Sequence, residues 1–174
     1  MKFEIPFDEQ IFLSQSMLNF DVAWKKNNQA NKRRLLWGIP LLLIGIGMLY
    51  FDHKLGYMWL AIGLHYLIKY IEYILVARKA RDAYIDKLDE YATKEKKANQ
   101  DTIWKFEEEH LFFHNHQMET KITWETFKGL RVIDKTLFLD LDMAAQQSFL
   151  LNDEEIGEEK FAQLITLLKT KIDH

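Results

Sequence analysis

Two long apolar stretches interrupt an otherwise polar chain. Residues 35–51 contain no charged side chain, and residues 57–77 contain only Lys69 and Glu72. About 20 helical residues cross the roughly 30 Å hydrocarbon core of a bilayer. The first stretch also lacks the polar face that a helix of a soluble core shows every 3.6 residues. The pattern therefore predicts a transmembrane hairpin of two spans, at about 35–51 and 57–77. The alternative, two buried helices of a soluble core, is disfavoured because the rest of the chain is too polar to cover them.

Basic residues flank the predicted hairpin at its two outer ends. They are Lys32, Arg33 and Arg34 before the first span and Arg78, Lys79 and Arg81 after the second. The loop between the spans offers only Lys54. Because cytoplasmic flanks carry the excess of Lys and Arg, this asymmetry predicts a multi-pass protein of the plasma (inner) membrane with both termini in the cytoplasm.

Small residues recur on one face of the first span. Gly38, Leu42, Gly45 and Leu49 follow helical spacing, and Gly63 lies in the second span. Glycine lets two membrane helices approach closely where the hydrophobic effect does not drive their association. We expect these glycines to pack the two spans together, although glycine is also common in membrane helices for no such reason.

Three polar residues share one face of the second span. His65, Lys69 and Glu72 follow i, i+4 and i+7 spacing, and Lys69 and Glu72 are placed to form an i,i+3 ion pair. A charge at the centre of a bilayer costs at least about 2.5–3.5 kcal/mol. The functional interpretation is a contact to another subunit or a part of an ion path. The preferred interpretation is that the pair reaches the cytoplasmic interface by snorkelling.

The segments that flank the hairpin predict further helices. Residues 2–7 alternate as a short strand, Asp8 is a plausible N-cap, and an amphipathic helix of about 20 residues follows. We expect this helix to pack on the cytoplasmic domain rather than on the membrane surface. Beyond the second span, residues 78–98 continue as a helix, interpreted as a solvated stalk. The alternative is a coiled-coil dimer, although the apolar stripe is short for one.

From residue 102 onward the hydrophobic pattern changes to a period of two, which predicts strands at 102–107, 111–114, 118–124, 127–133, 136–142 and 145–151. An amphipathic helix closes the chain. Asn152 and Glu155 resemble a capping box before it, and its predicted buried face comprises Phe161, Leu164, Ile165, Leu168 and Ile172. The predicted fold class is a membrane α-helical hairpin plus an α+β cytoplasmic domain, in which a bent antiparallel sheet is closed by a C-terminal helix. The predicted divisions are 1–34, 35–77, 78–101 and 102–174.

Composition and charge narrow the range of partners that the C-terminal domain is expected to bind. The chain has no cysteine, and its mean hydropathy of -0.24 averages an apolar hairpin with polar flanks. Residues 102–174 carry eight basic and fourteen acidic side chains. Such an acidic domain is not expected to bind nucleic acid, because that affinity depends on neutralising phosphates. A protein partner or a second copy is the better expectation, reached through an added strand at a sheet edge.

No residue pattern predicts catalysis. The serines lie in no nucleophile elbow, and no glycine-rich phosphate loop occurs. His110, His114 and His116 are close in sequence, and His114 and His116 fall on the same side of an extended strand. Two imidazoles with Glu107 or Glu119 could bind a divalent ion, but the segment around them has the composition of an exposed turn. We therefore expect a non-enzymatic protein with no cofactor and no metal site.

The region from residue 104 to residue 141, WKFEEEHLFFHNHQMETKITWETFKGLRVIDKTLFLDL, followed by a capped helix, resembles the cytoplasmic domain of YcxB-like membrane proteins. The resemblance covers the layout of residues 1–172 and is most specific over 106–124, which includes Phe106, His114 and Trp124. It implies a C-terminal domain of pleckstrin-homology-like (PH-like) topology and no established activity. One departure is that Leu150, Leu151 and Asn152 stand where the family often has a proline. The function expected is anchoring of this domain for protein–protein interaction or self-assembly, and the alternative is an oligomeric transporter or channel component.

Overall fold

The computed structural model describes residues 1–141 and 148–172. Its strands are β1 (Lys2–Ile5), β2 (Thr102–Phe106), β3 (His110–His114), β4 (Glu119–Thr123), β5 (Phe127–Ile133), β6 (Thr136–Leu141) and β7 (Ser148–Asn152). Its α-helices are α1 (Glu9–Tyr50), α2 (Gly56–Ala98), α3 (Asp153–Ile156) and α4 (Glu158–Ile172), and a 3₁₀ turn covers Trp124–Thr126. The chain forms two compact units. One is the hairpin unit, Phe20–Lys87, and the other is the sheet unit, Met1–Asn19 with Leu88–His174.

The hairpin unit consists of the inner parts of α1 and α2. Both helices are long and apolar enough to cross a membrane, and only 11% and 6% of their most apolar windows are buried. The predicted spans thus lie within two continuous helices. Pro40 is accommodated inside α1, since neighbouring groups can satisfy the backbone that a proline frees in such a helix.

Glycines hold the two helices of this unit in close contact. A Cβ placed on Gly45 would lie 2.8 Å from the backbone nitrogen of Leu60, and one on Gly63 would lie 2.9 Å from that of Leu42. A Cβ on Gly38 would lie 3.2 Å from Tyr66 Cβ. The predicted packing face of the first span is therefore confirmed.

The sheet unit contains two antiparallel sheets, ordered β1-β2-β3-β4 and β5-β6-β7. The prediction of one bent sheet was wrong in this respect, because the 3₁₀ turn at Trp124–Thr126 separates β4 from β5. The predicted strands otherwise match those observed to within one or two residues. Residues 142 and 145–147 of the predicted strands lie outside the described residues.

The first strand belongs to the C-terminal sheet. β1 pairs antiparallel with β2, so that Lys2 faces Lys105 and Ile5 faces Thr102. The compact sheet unit consequently includes the N-terminus and begins again at Leu88, whereas the predicted domain began at residue 102. A strand of four residues carries no signal for a partner a hundred residues away, which explains the difference.

The closing helix packs on the sheets as predicted. Phe161, Leu164 and Leu168 are buried in one core with residues of both sheets. The capping box of Asn152 and Glu155 is present, but it caps the four-residue α3. Gly157, with φ of +85°, separates α3 from α4, because a left-handed residue ends a helix. The sequence pattern predicts a single closing helix in place of α3 and α4.

The ends of α1 and α2 that belong to the sheet unit are packed, not solvated. Asp8 caps α1 through hydrogen bonds from the backbone N–H groups of Gln10 and Ile11. The ring of Phe12 stacks on that of Tyr91, with centroids 5.3 Å apart. Leu88 and Ala92 are buried. The predicted solvated stalk was therefore wrong for this part of α2, and the apolar stripe has partners within the same chain.

Candidate functional site: a cavity in the sheet unit

A cavity of about 600 Å³ opens in the sheet unit. Its lining residues come from β1, β2, β3, β4, β6 and β7, from the start of α1, from the end of α2 and from α3, all within that unit. A cavity of a few hundred Å³ lined by apolar groups with several polar side chains is typical of small-molecule sites.

Aromatic rings form the apolar wall of the cavity. Phe113 meets Trp104 and Phe149 edge to face, with centroids 4.9 and 5.1 Å apart. The stacked pair of Phe12 and Tyr91 lines it as well. Such edge-to-face and stacked contacts hold rings in fixed positions, so the cavity has a rigid wall.

A polar cluster centred on Glu95 lies at one side. The Glu95 side chain is only 4% exposed. His116 Nδ1 lies 2.9 Å from Glu95 Oε1 and forms an ion pair with it when the imidazole is protonated. Asn115 Nδ2 donates to Tyr91 Oη over 3.0 Å. Burial, followed by a hydrogen bond to Glu95, raises the pKa of Tyr91 to about 12, so its hydroxyl stays protonated at neutral pH.

A second carboxylate lines the cavity near α3. Glu155 Oε2 accepts hydrogen bonds from Gln15 Nε2 and from the backbone N–H of Asn152, each 2.6 Å long. Burial raises the pKa of Glu155, although these two hydrogen bonds oppose that shift. The glutamate of the capping box thus has a second role, because its hydrogen bond with Gln15 connects α3 to the start of α1.

One edge of the four-stranded sheet is formed by β4. The backbone N–H of Asn115 donates to Met118 O and that of Trp124 donates to Glu109 O. Hydrogen-bonded and non-hydrogen-bonded pairs alternate along an antiparallel ladder. With Phe113 opposite Thr120 and Phe112 opposite Lys121, the alternation places the backbone groups of Lys121 on the outer, unpaired side. Glu119 and Thr123 share this orientation.

The motif residues predicted from the sequence lie in the core or beside the β3–β4 turn. Phe106 and Trp124 are buried in the core and their rings stack 6.4 Å apart. The Trp124 indole N–H donates to Glu107 O and Glu108 O, so it holds the β2–β3 turn. His114 lies beside Glu119, with 3.6 Å between Nδ1 and Oε2.

The three histidines do not converge. His110 lies beside Glu107, His114 beside Glu119 and His116 beside Glu95. No group of three potential ligands for a metal ion occurs among the residues that the structure describes.

The polar residues of the second span lie at the level of the basic cluster. Asn31 Nδ2 donates to Tyr70 O over 3.4 Å, and Tyr73 Oη donates to Asn28 Oδ1 over 2.7 Å. These contacts set residues 69–73 beside residues 28–34, which include Lys32, Arg33 and Arg34. The predicted ion pair forms, with 2.8 Å between Lys69 Nζ and Glu72 Oε2. His65 lies about one turn deeper in the hairpin and is exposed.

The other flanking cations also face outward. Arg78, Lys79 and Arg81 are exposed on α2, as are Lys32 and Arg33 on α1. Their side chains are therefore accessible at the outer ends of the two apolar stretches.

The cavity could not be predicted from the sequence, because its lining residues give no local signal. Glu95 lies in a run of charged residues and carries no local sign of burial, and Gln15 and Phe149 come from distant segments. Comparisons of this chain with family models, curated proteins and solved structures find no match. The resemblance to YcxB-like proteins therefore stays a prediction.

Proposed function

We propose that the protein is a non-enzymatic integral membrane protein in which the hairpin unit anchors a cytoplasmic PH-like domain. This domain binds an extended segment of a protein partner, or of a second copy, at the free edge of β4. The proposal gives no catalytic role to any residue and requires no cofactor.

The exposed apolar surface of the hairpin is the observation that carries the proposal. Leu36, Leu43 and Ile46 on α1 and Leu64 and Ile68 on α2 are among its exposed side chains. Soluble monomers rarely expose apolar patches larger than a few hundred Å². A bilayer covers such a surface without any further protein, and the exposed cations beside it favour a cytoplasmic location for both ends.

The strand count supports the PH-like assignment. Four strands and then three form two antiparallel sheets, and a helix follows the last strand and closes the core. In this assignment the membrane hairpin is an insertion between the first and second strands of the domain. The pairing of β1 with β2 is then the contact that completes the first sheet.

The edge of β4 supports the binding mode. Unpaired N–H and C=O groups on an edge strand are a template for an added strand. The outward side chains Glu119, Lys121 and Thr123 are exposed. A single Lys on an edge is a weak block to pairing, and neither proline nor a bulge protects this strand among the residues described.

The alternative is an oligomeric transporter or channel component that uses His65, Lys69 and Glu72. The ion pair between Lys69 and Glu72 is the feature that favours it. Its position beside the basic cluster supports an interfacial role instead, since a conduit needs polar groups through the whole depth of the span.

The absence of cysteine from the chain allows a clean test of topology. Single cysteines at Lys54 and at Lys169 are labelled in intact cells with a membrane-impermeant maleimide. The proposal expects labelling at position 54 and none at position 169 until the cells are lysed. Labelling at 169 in intact cells, or of both sites alike, would contradict it.

Strand addition is tested with a photo-crosslinker at position 119, expressed in the full chain in native membranes. Lys121→Pro removes an outward N–H without removing a hydrogen bond to β3, and Lys121→Ala is the matched control that keeps the N–H. We expect crosslinked product in the parent and in K121A, and its loss in K121P. The mass of the product separates a second copy from another protein. Equal product from K121P, or monomer alone from every variant, would refute the binding mode.

A further inference from the structure

The cavity of the sheet unit has a charge pattern that defines its ligand. Three carboxylates line it, those of Asp8, Glu95 and Glu155, and no lysine or arginine does among the described lining residues. An anion placed in the cavity beside these carboxylates would be repelled and would lose its hydration. The cavity therefore excludes anionic ligands.

The carboxylate of Glu95 is the most deeply buried of the three. Its side chain is 4% exposed, and the described lining of the cavity offers it no lysine or arginine. His116 Nδ1 lies 2.9 Å from its Oε1 but carries a positive charge only when the imidazole is protonated, and His116 does not line the cavity. A buried carboxylate is costly unless a positive charge compensates it. An ammonium group delivered from the cavity would supply that charge.

The remaining wall accommodates an apolar body. Trp104, Phe113 and Phe149 form one aromatic corner, and Phe12 with Tyr91 forms another. Aromatic faces also attract cations by their quadrupole. An amine attached to an aromatic or alkyl group meets both requirements, because its ammonium reaches a carboxylate while its body covers the rings.

We infer that the cavity is a binding site for a small organic amine, whose ammonium group donates to Glu95 and whose apolar body lies against the rings of Trp104, Phe113 and Phe149. This goes beyond the proposed function and is independent of it, since strand addition uses the outer edge of β4 and the amine uses the interior of the unit.

The test compares three head groups on one apolar body. The probes are 2-(2-naphthyl)ethylamine, 2-(2-naphthyl)ethanol and 3-(2-naphthyl)propanoate. Each is titrated by calorimetry into the full chain in phosphatidylcholine nanodiscs, and empty nanodiscs correct for partition into lipid. We expect the amine to bind most tightly, the alcohol more weakly, and the propanoate not at all.

Variants locate the binding. Glu95→Gln should weaken the amine by about tenfold or more and change the alcohol by less than about twofold, because a charged hydrogen bond exceeds a neutral one. Glu125→Gln is the matched control, an exposed carboxylate of the same unit that does not line the cavity, and should leave amine binding unchanged. Thr120→Trp should fill the cavity and abolish binding of both probes, and Thr102→Phe serves the same purpose if T120W does not fold.

Four results would overturn the inference. The first is binding of the propanoate as tight as that of the amine, and the second is an unchanged ratio of amine to alcohol affinity in E95Q. The third is amine binding that survives a folded cavity-filling variant, and the fourth is the absence of amine binding to the parent. Circular dichroism and thermal unfolding establish that each variant is folded before it is scored.

Discussion

Gly45 and Leu60 face each other so closely that a Cβ on the glycine would lie 2.8 Å from the leucine backbone nitrogen. Real Cβ atoms essentially never approach a backbone atom to this distance. The two helices of the hairpin therefore depend on the missing side chain for their separation. The same dependence holds at Gly63, which faces Leu42.

The first prediction concerns this contact. Gly45→Ala should destabilise the hairpin unit by about 1–3 kcal/mol, because overpacking forces the backbones apart. The loss should exceed the small gain in helix propensity that alanine brings. Thermal unfolding of the full chain in nanodiscs, followed by helix content, measures the effect.

Gly47→Ala is the matched control for that prediction. Gly47 lies two residues further along the same helix, and a Cβ on it would meet nothing within 4 Å. We expect G47A to keep or slightly raise the unfolding temperature. Equal destabilisation by G45A and G47A would mean that close contact between the helices does not depend on the absence of a side chain at position 45.

The packing face could be predicted from sequence because it is a local pattern. Helical spacing alone puts Gly38, Leu42 and Gly45 on one side, and the five-residue loop forces the second helix to return beside the first. The register between the helices could not be predicted, because it depends on which side chains interlock. Consequently the level of Lys69 beside the basic cluster became visible only in the structure.

The second prediction concerns the ion pair at that level. The double variant Lys69→Met, Glu72→Gln should leave the unfolding temperature of the hairpin unit nearly unchanged, because both side chains are about half exposed and surface ion pairs contribute little. It should also leave the proton permeability of proteoliposomes unchanged. Thermal unfolding and a pH-sensitive dye inside the vesicles measure the two outcomes.

The pair of Glu90 and Lys94 on the same helix is the control for the ion-pair variant. It is also exposed, with 2.7 Å between Lys94 Nζ and Glu90 Oε1, and it lies outside the predicted spans. Removing either pair should have a similar small effect. A large drop in unfolding temperature or an altered proton flux only on removal of Lys69 and Glu72 would favour the transporter alternative.

Some features of the sheet unit could likewise be predicted from local sequence patterns, and others could not. Six strands, the turn at Asn115 and the buried face of α4 follow from alternation, turn chemistry and helical spacing. The pairing of β1 with β2 and the burial of Glu95 depend on contacts between segments that are far apart along the chain. The cavity is a product of those contacts, which is why sequence analysis did not find it.

The third prediction concerns the cap of α3. Asn152→Ala should destabilise the sheet unit by about 1–2 kcal/mol, since Asn152 Oδ1 accepts from Glu154 N and its Nδ2 donates to Thr136 Oγ1. Asn152→Ser keeps a capping oxygen and should recover most of the loss. Tryptophan fluorescence during thermal unfolding reports on this unit through Trp104 and Trp124. Equal losses in the two variants would assign the effect to the contact with Thr136 and not to the cap.

The fourth prediction concerns the acid sensitivity of the three-stranded sheet. Burial favours the neutral form of Asp140, but hydrogen bonds from Arg131 and Ser148 outweigh it and hold the pKa of Asp140 below 3.8, its ordinary value. Arg131 Nε and Nη2 reach its two oxygens over 2.5 and 2.7 Å. A carboxyl whose pKa is lower in the folded state stabilises that state above its unfolded pKa, and this contribution disappears as pH falls through the folded pKa.

Asp140→Asn should therefore cost about 1 kcal/mol or more at pH 7, where the parent carboxylate is ionised and paired with Arg131. The difference between parent and variant should shrink as pH falls below about 4, because the Asp140 carboxyl of the unfolded parent then takes up a proton, and it should disappear once the folded carboxyl is protonated as well. Thermal unfolding of both proteins at pH 7 and at pH 3, monitored by tryptophan fluorescence, measures that difference. A gap that stays constant over this range would mean that the asparagine acts by altered packing, since only the lost charge titrates.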